Sequence, residues 1–288
     1  MARSTVAGIS VSHPDRVIYP DAAITKVDVA RFYERIAEWI LPHLKGRPLT
    51  LVRCPDGLRS PCFYMKHSKV WALPSIRRIN IQEKTKVGEY LIVDTVPALI
   101  SLVQMNILEI HTWNTCEDHV EQPDRIVFDL DPGEKVTWSQ IVDAARLVRR
   151  LLRKAGLESF PKTTGGNGLH VVVPLIPGAD WRACLEFARS FALLLEQYNP
   201  ELFTTAFAKA GRERKILIDY LRNNRTNTSV AAYSTRAKPG APVSMPLRWN
   251  DLTPTLTPRK FTMLTVEARL RNRKDPWADY WRTKQRLG

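Results

Sequence analysis

Asp129 and Asp131, one residue apart in the run Ile126-Val127-Phe128-Asp129-Leu130-Asp131-Pro132-Gly133, are the residues of this 288-residue chain whose types and spacing first point to chemistry. Read as a strand, the run sends Val127, Asp129 and Asp131 to one face and Ile126, Phe128 and Leu130 to the other. Neighbouring carboxylates that are partly buried repel each other until a cation or a proton relieves them. From same-face positions about 7 Å apart, such side chains can converge on a divalent metal pair separated by about 3.5–4 Å. The competing reading is a solvated strand end before a Pro-Gly turn. Lys215-Ile216-Leu217-Ile218-Asp219-Tyr220 repeats the pattern, a short apolar strand ending in a carboxylate. If the two strands pair, Asp219 joins Asp129 and Asp131, and three acids meet the ligand count of phosphoryl-transfer metal sites, with phosphate oxygens and water filling the remainder.

A second constellation is Thr163-Thr164-Gly165-Gly166-Asn167-Gly168-Leu169-His170, where three glycines lie between strand-like runs. Its backbone amides, Gly166 among them, can approach a phosphate closely, with Thr164 and His170 at either edge. It lacks the Gly-Lys-Ser/Thr ending of a Walker loop, and an ordinary hairpin turn is the alternative. Downstream, Arg222, Arg225, Arg236 and Lys238 alternate with Asn223, Asn224, Thr226 and Asn227, a mixture suited to phosphate and sugar contacts. Phe63 and Tyr64 are adjacent, so on a strand they face opposite ways; one or both fill core, or one stacks on a base.

The elements that position these residues follow from periodicity. Thr25 and Asp28 open a helix carrying Val29, Phe32, Tyr33, Ile36, Trp39 and Ile40, ended by Pro42 and Gly46. Short strands are expected at 49–53, 62–65, 76–82 and 89–95, an apolar helix over 96–107, and a strand over 108–113 that carries His111. Helices over 138–155 and 181–198 cover the sheet, and another lies near 262–271. On the first of these, Arg146, Arg149, Arg150, Arg153 and Lys154 cluster away from the apolar stripe, either as a solvated face or as phosphate contacts.

Composition bounds the partners. The chain has 43 Lys and Arg against 29 Asp and Glu, a net charge of +14, with 44% hydrophobic and 25% charged residues. That balance belongs to a soluble globular protein with a polyanionic partner, and nucleic acid fits better than a membrane surface, which would concentrate charge in one amphipathic helix. No run approaches a membrane span or a secretory signal, so a cytosolic protein is expected. Cys54, Cys62, Cys116 and Cys184 show no Cys-x-x-Cys pair, and reduced thiols are the default; a zinc site from Cys54, Cys62 and His67 is a minor alternative.

Four motifs in order, Phe128 to Gly133, Thr164 to His170, Ile218 to Asn223 and Arg236 to Trp249, resemble the polymerase domain of the bacterial end-joining ligase called ligase D, of the archaeo-eukaryotic primase superfamily. The similarity runs from about Ser12 to Arg282. It implies an α+β, two-lobed primase-polymerase fold with an RRM-like catalytic sheet flanked by helices, residues 1–288 forming one domain excised from a multi-domain ligase. By the resemblance, Asp129, Asp131 and Asp219 are the catalytic metal-binding acids. Thr164, Gly166, His170, Arg236 and His111 contact the nucleotide, Arg16 and Lys26 the 5′-phosphate of a recessed end, and Phe63 and Tyr64 the template bases. The resemblance further implies two divalent metal ions, Mn2+ preferred and Mg2+ possible, with NTP or dNTP substrates and ribonucleotides favoured. The implied partners are gapped or recessed DNA with a 5′-phosphate, the end-binding protein Ku, and the ligase and nuclease domains of the parent polypeptide, in the bacterial cytoplasm at the nucleoid. The competing functions are a non-catalytic DNA-end-binding module, a stand-alone DNA primase and a metal-dependent nuclease.

Overall fold

The computed structural model describes residues 3–67, 72–208, 210–271 and 274–287. The chain divides into two compact units: Met1–Asp118 with Val230–Ser244 and Lys260–Arg273, and His119–Ser229 with Met245–Arg259 and Lys274–Gly288. Both mix helix with sheet, so the α+β class expected from the sequence is what the chain adopts.

In the first unit Thr25 accepts from the Asp28 amide while Asp28 accepts from the Thr25 amide, a capping box that starts helix α1 (Lys26–Arg35). The single helix read from periodicity is two. Ile36 leaves the helical region at φ −101°, ψ 11°, α2 (Ala37–Leu44) follows, and Pro42 lies inside α2 rather than ending it. Strand β1 (Leu49–Arg53) pairs antiparallel with β2 (Phe63–Met65) on one side and with β3 (Ile107–Thr112) on the other. Thr95 caps α3 (Val96–Gln104), whose Leu99, Ile100, Leu102 and Val103 are buried and which packs against α1.

The cysteine expectation is corrected here. Cys54 and Cys62 form a disulfide, their Cα atoms 4.4 Å apart, because the segment between β1 and β2, which includes the short strand Pro55–Leu58, folds back and brings the two positions face to face. The zinc alternative falls with it, since both thiols are consumed and His67 Nε2 is bonded to Glu83 at 2.8 Å. Cys116 and Cys184 are free thiols.

The second unit is built on β4 (Arg125–Pro132), the middle strand of a five-stranded sheet. One side of β4 takes β6 (Leu169–Pro174) and then β5 (Phe160–Thr163); the other takes β8 (Ile216–Asp219) and then β7 (Phe203–Thr204). All neighbours run antiparallel except β7 and β8. A Thr137–Gln140 capping box starts α4 (Trp138–Lys154), and Asp180 caps α5 (Trp181–Tyr198) by accepting from the Ala183 amide at 2.7 Å. Phe128 meets Phe191 of α5 at 4.7 Å between ring centroids, so the Ile126/Phe128/Leu130 face is oily as its alternation predicts. The other face is divided. Val127 and Val172 pack beneath Phe160, Trp277 and Tyr280, and further along β4 the same face carries Asp129 and Asp131.

Candidate catalytic site

The register of the second unit's sheet sets four side chains in a transverse row. Lys162 on β5 lies opposite His170 on β6, His170 opposite Asp129 on β4, and Asp129 opposite Asp219 on β8. Asp131 lies opposite Leu217, one step along the same face. Strand β8 stops at Asp219, whose carboxylate accepts from the Leu221 amide at 3.0 Å and so starts a short 3-10 turn. Beyond that point Asn223 takes over the strand's role, accepting from the Val127 amide and donating to the Val127 carbonyl, both at 2.8 Å. That turn delivers Arg222 back over the acids. Its Nε lies 3.1 Å from Asp129 Oδ2 and 3.0 Å from Asp219 Oδ2, so one cationic nitrogen bridges two carboxylates.

Both bridged acids are 8% exposed, and burial alone opposes their ionisation. For Asp129 burial is outweighed by His170, Arg222 and Lys162, which hold its carboxyl well below the usual carboxylate range. Asp219 goes the other way: burial, aided by the charges of Asp129 and Asp131, raises it against the pull of Arg222 and the Leu221 amide. The two therefore differ in proton affinity although they face each other. His170 Nε2 is 3.4 Å from Asp129 Oδ1, and burial together with Lys162 pushes its imidazole down to about 4 despite Asp129. At neutral pH the ring is uncharged and can donate or accept one hydrogen bond per nitrogen.

Asp131 is placed differently. Its side chain is 50% exposed and pairs with Arg212 Nη2 at 2.9 Å, beside an open cleft of about 520 Å3 lined also by Gly133, Glu134 and Glu213. Among the described residues no group of three or more His, Cys, Asp or Glu side chains is placed to hold a metal ion, so the three acids expected together do not converge: Asp129 and Asp219 face each other and Asp131 stands apart. Asp129 and Asp219 nonetheless present oxygen donors, the kind a hard divalent cation takes, on one face and within reach of a single guanidinium nitrogen.

The glycine turn is pinned against this strand. A Cβ on Gly168 would come within 2.8 Å of the Leu130 carbonyl oxygen, so only glycine lets the turn close on β4. Thr164 Oγ1 donates to the Gly168 carbonyl at 3.1 Å and accepts from the Gly166 amide at 3.3 Å, leaving Gly166 and Asn167 at the tip.

The remaining expected residues belong to the first unit. On β3, Glu109 accepts from His111 Nε2 at 2.8 Å, pairs with Arg236 Nε at 3.0 Å and accepts from the Ala237 amide at 2.9 Å. Burial resists the charge on Glu109, but His111 and Arg236 prevail and hold its carboxyl down at about 2. Tyr64 is 70% exposed and stands edge-on to His111 at 6.0 Å, while Phe63, 46% exposed, lies under Arg53 at 5.8 Å. Lys26 is 2% exposed; its Nζ donates to the Gln104 carbonyl at 2.8 Å, and burial with Arg16 and Arg53 lowers its amine to about 8. Arg16 donates to the Pro55 carbonyl at 2.8 Å, inside the loop that the Cys54–Cys62 bridge closes.

Sequence reading missed Lys162, Arg212 and Glu109. Lys162 carried a signal, being a lysine in a strand-like run next to the glycine turn. Arg212 and Glu109 carried none, because their partners are distant in sequence.

The central antiparallel strand bears paired acids, a glycine turn closes on it and the chain is strongly basic; the fold is that of a primase-polymerase, a nucleotidyltransferase class. The profile of the family described as "LigD, primase-polymerase domain" matches residues 25–277, and the chain belongs to that family. It is 37% identical over 288 residues to the multifunctional non-homologous end joining protein LigD of Pseudomonas aeruginosa, covering 99% of this chain and 34% of that protein. It is 31% identical over 276 residues to the bifunctional LigD of Bacillus subtilis, covering 94% of this chain and 44% of that protein. The chain thus spans a third to under a half of these relatives' length. The polymerase domain of Mycobacterium tuberculosis ligase D, solved in complex with DNA, superposes with a TM-score of 0.87 at 33% identity, over 93% of this chain and 96% of that one.

Proposed function

We propose that the chain is a template-directed nucleotidyltransferase that adds nucleotides, ribonucleotides preferentially, to DNA 3′ ends, filling gaps and processing ends in bacterial non-homologous end joining. Residues 1–288 act as one polymerase domain of a longer polypeptide that also carries ligase and nuclease domains and works with Ku at broken ends in the nucleoid. The observation that carries the reading is the facing pair Asp129 and Asp219, bridged by one nitrogen of Arg222 at 3.1 and 3.0 Å.

Asp129, Asp131 and Asp219 would hold two divalent ions, Mn2+ preferred and Mg2+ accepted. Bound there, these would lower the pKa of the primer 3′-hydroxyl and offset charge on the leaving pyrophosphate. Arg222 and Arg212 pair with the acids, and with metal ions in their place would turn to donate to phosphate oxygens. Gly166, Thr164 and neutral His170 hold the triphosphate by hydrogen bonds, the Gly166 amide and the Thr164 hydroxyl exchanging their bonds within the turn for phosphate oxygens. On the first unit, Arg236 and His111, both fixed by Glu109, serve as nucleotide contacts. Arg16 and Lys26 take the 5′-phosphate, and the exposed rings of Phe63 and Tyr64 stack on template bases.

A second reading, a DNA-end binder without catalysis, draws on the same ion pairs, since acids already neutralised by arginine need no metal. A gapped duplex with a 5′-phosphate, Mn2+ and a labelled ribonucleoside triphosphate discriminates. The wild-type chain is expected to lengthen the primer by one nucleotide, and Asp129→Asn to bind the duplex without extending it. Extension by Asp129→Asn at the wild-type rate would overturn the assignment of the acids. A wild-type chain that binds and adds nothing would establish the binder, and loss of primer nucleotides would indicate a nuclease.

A further inference from the structure

The basic face of α4 is not used by the chemistry proposed above. Arg146, Arg149, Arg150 and Arg153 recur at helical spacing on one side of α4 and, with Trp249 and Asn250, line a cleft of about 460 Å3. All six residues belong to the second unit. An adjoining cleft of about 410 Å3 includes Phe160 and Pro161 of edge strand β5, two strands away from the strand that carries Asp129. The cluster is thus a separate feature of the sheet's far edge.

Like charges four apart on a helix repel, and two such pairs, Arg146/Arg150 and Arg149/Arg153, sit together here. The negative end of the helix dipole favours Arg153 and Lys154 in the last turn, but its effect fades a turn earlier, where Arg146 and Arg149 lie. Among the described residues no carboxylate lines the 460 Å3 cleft; Glu158, which lines the adjoining cleft, is engaged by Arg153 at 3.0 Å. Trp249 is fixed by donating its indole N–H to the Ser159 carbonyl at 2.6 Å, and the Arg149 guanidinium stacks over that ring at 4.8 Å. Arg149 Nε is buried with no hydrogen-bond partner among the described residues. Burial and the nearby Arg153 also press against the Arg149 charge. Arg150 makes no hydrogen bond or ion pair among the described residues and is exposed.

We propose that this cleft is a second nucleic-acid contact, in which the forked donors of Arg149 and Arg150, steadied by Trp249, bind the phosphodiester backbone of a strand beyond the reaction site. Guanidinium groups match phosphate geometry with two parallel donors, and a stacked guanidinium loses little freedom when it binds. An acidic peptide would also meet the charge, but apart from Trp249 the cleft offers no apolar anchor for a protein partner.

The test is equilibrium binding of a labelled blunt duplex with 5′-hydroxyl ends, followed by fluorescence anisotropy across a salt series. Each lost phosphate contact lowers the slope of log affinity against log salt by about 0.9 on duplex and about 0.7 on a single strand. Arg149→Gln/Arg150→Gln is expected to reduce the slope by about 2 on duplex, and by about 1.4 on a single strand if that is the form held. Arg182→Gln/Arg189→Gln, which removes the same charge from exposed positions on α5, is expected to leave it unchanged. Should the double variant fold poorly, Arg150→Gln alone alters an exposed side chain and is expected to lower the slope by about 1. An unchanged slope, an equal loss in the α5 control, or weakened binding of polyglutamate with DNA binding intact would overturn the proposal. The readout needs no nucleotidyl transfer, so its failure and the failure of the proposed chemistry are separate results.

Discussion

Lys26 is a buried amine whose charge the fold disfavours, and replacing it should stabilise the protein while harming end recognition. Burial, Arg16 and Arg53 bring its pKa from 10.5 to about 8, which corresponds to about 3 kcal/mol against the charged form. Below pH 8 the amine is protonated in both folded and unfolded chains, and the whole penalty is present. Between pH 8 and 10.5 the unfolded chain binds more protons than the folded one, so stability rises with pH; above 10.5 the penalty is gone. Lys26→Met removes the penalty and also the hydrogen bond to the Gln104 carbonyl, a loss of about 1 kcal/mol. The variant is therefore expected to be about 2 kcal/mol more stable than wild type at pH 7. At pH 10.5, with little of the penalty left and the hydrogen bond still missing, the advantage should be gone and the variant slightly less stable than wild type. Guanidinium denaturation at the two pH values measures the difference. In parallel, on the proposed role of Lys26 in taking the 5′-phosphate, the variant is expected to lose any preference for 5′-phosphorylated over 5′-hydroxyl duplex. A Lys26→Met variant that is less stable than wild type at pH 7, with a difference that does not change with pH, would refute the reasoning.

Gly168→Ala should cost about 1–3 kcal/mol by denaturation, because the added Cβ meets the Leu130 carbonyl oxygen at 2.8 Å and the turn must move off β4. Reductant should lower stability by about 2–3 kcal/mol, the chain-entropy contribution of the short loop that Cys54 and Cys62 close; the Cys54→Ser/Cys62→Ser variant should be insensitive to reductant. Trp277→Ala should cost about 3–5 kcal/mol, since the ring covers Val127 and Val172 and its N–H donates to the Pro161 carbonyl at 3.0 Å.

Local rules carried much of the fold. The alternation in 126–131 gave the strand and its two faces, and Thr25 with Asp28 gave the start of α1 to the residue. The expectation that Asp219 would stand beside Asp129 needed only that two short apolar strands pair, and they do. Register is a long-range property, and there the reading stopped. That Asp131 turns to Arg212 while Arg222 claims Asp129 and Asp219 depends on where β8 ends and how the following 3-10 turn swings back. Lys162 entered the row because β5 pairs with β6 in one of two possible phases, and a shift by one residue would have sent it to the opposite face. The Cys54–Cys62 bridge escaped because compartment and spacing arguments say nothing about how the segment between the cysteines, with its short strand Pro55–Leu58, folds back.

The central claim is that Asp129 and Asp219 form a seat for a divalent cation that Arg222 fills in its absence. Mn2+ titration followed by electron paramagnetic resonance tests it directly, with wild type, Asp129→Asn and Arg222→Gln compared at one pH. Wild type is expected to bind Mn2+, Asp129→Asn to lose that binding, and Arg222→Gln to bind more tightly, since the competing guanidinium is gone. Equal Mn2+ affinity in all three proteins would contradict the account.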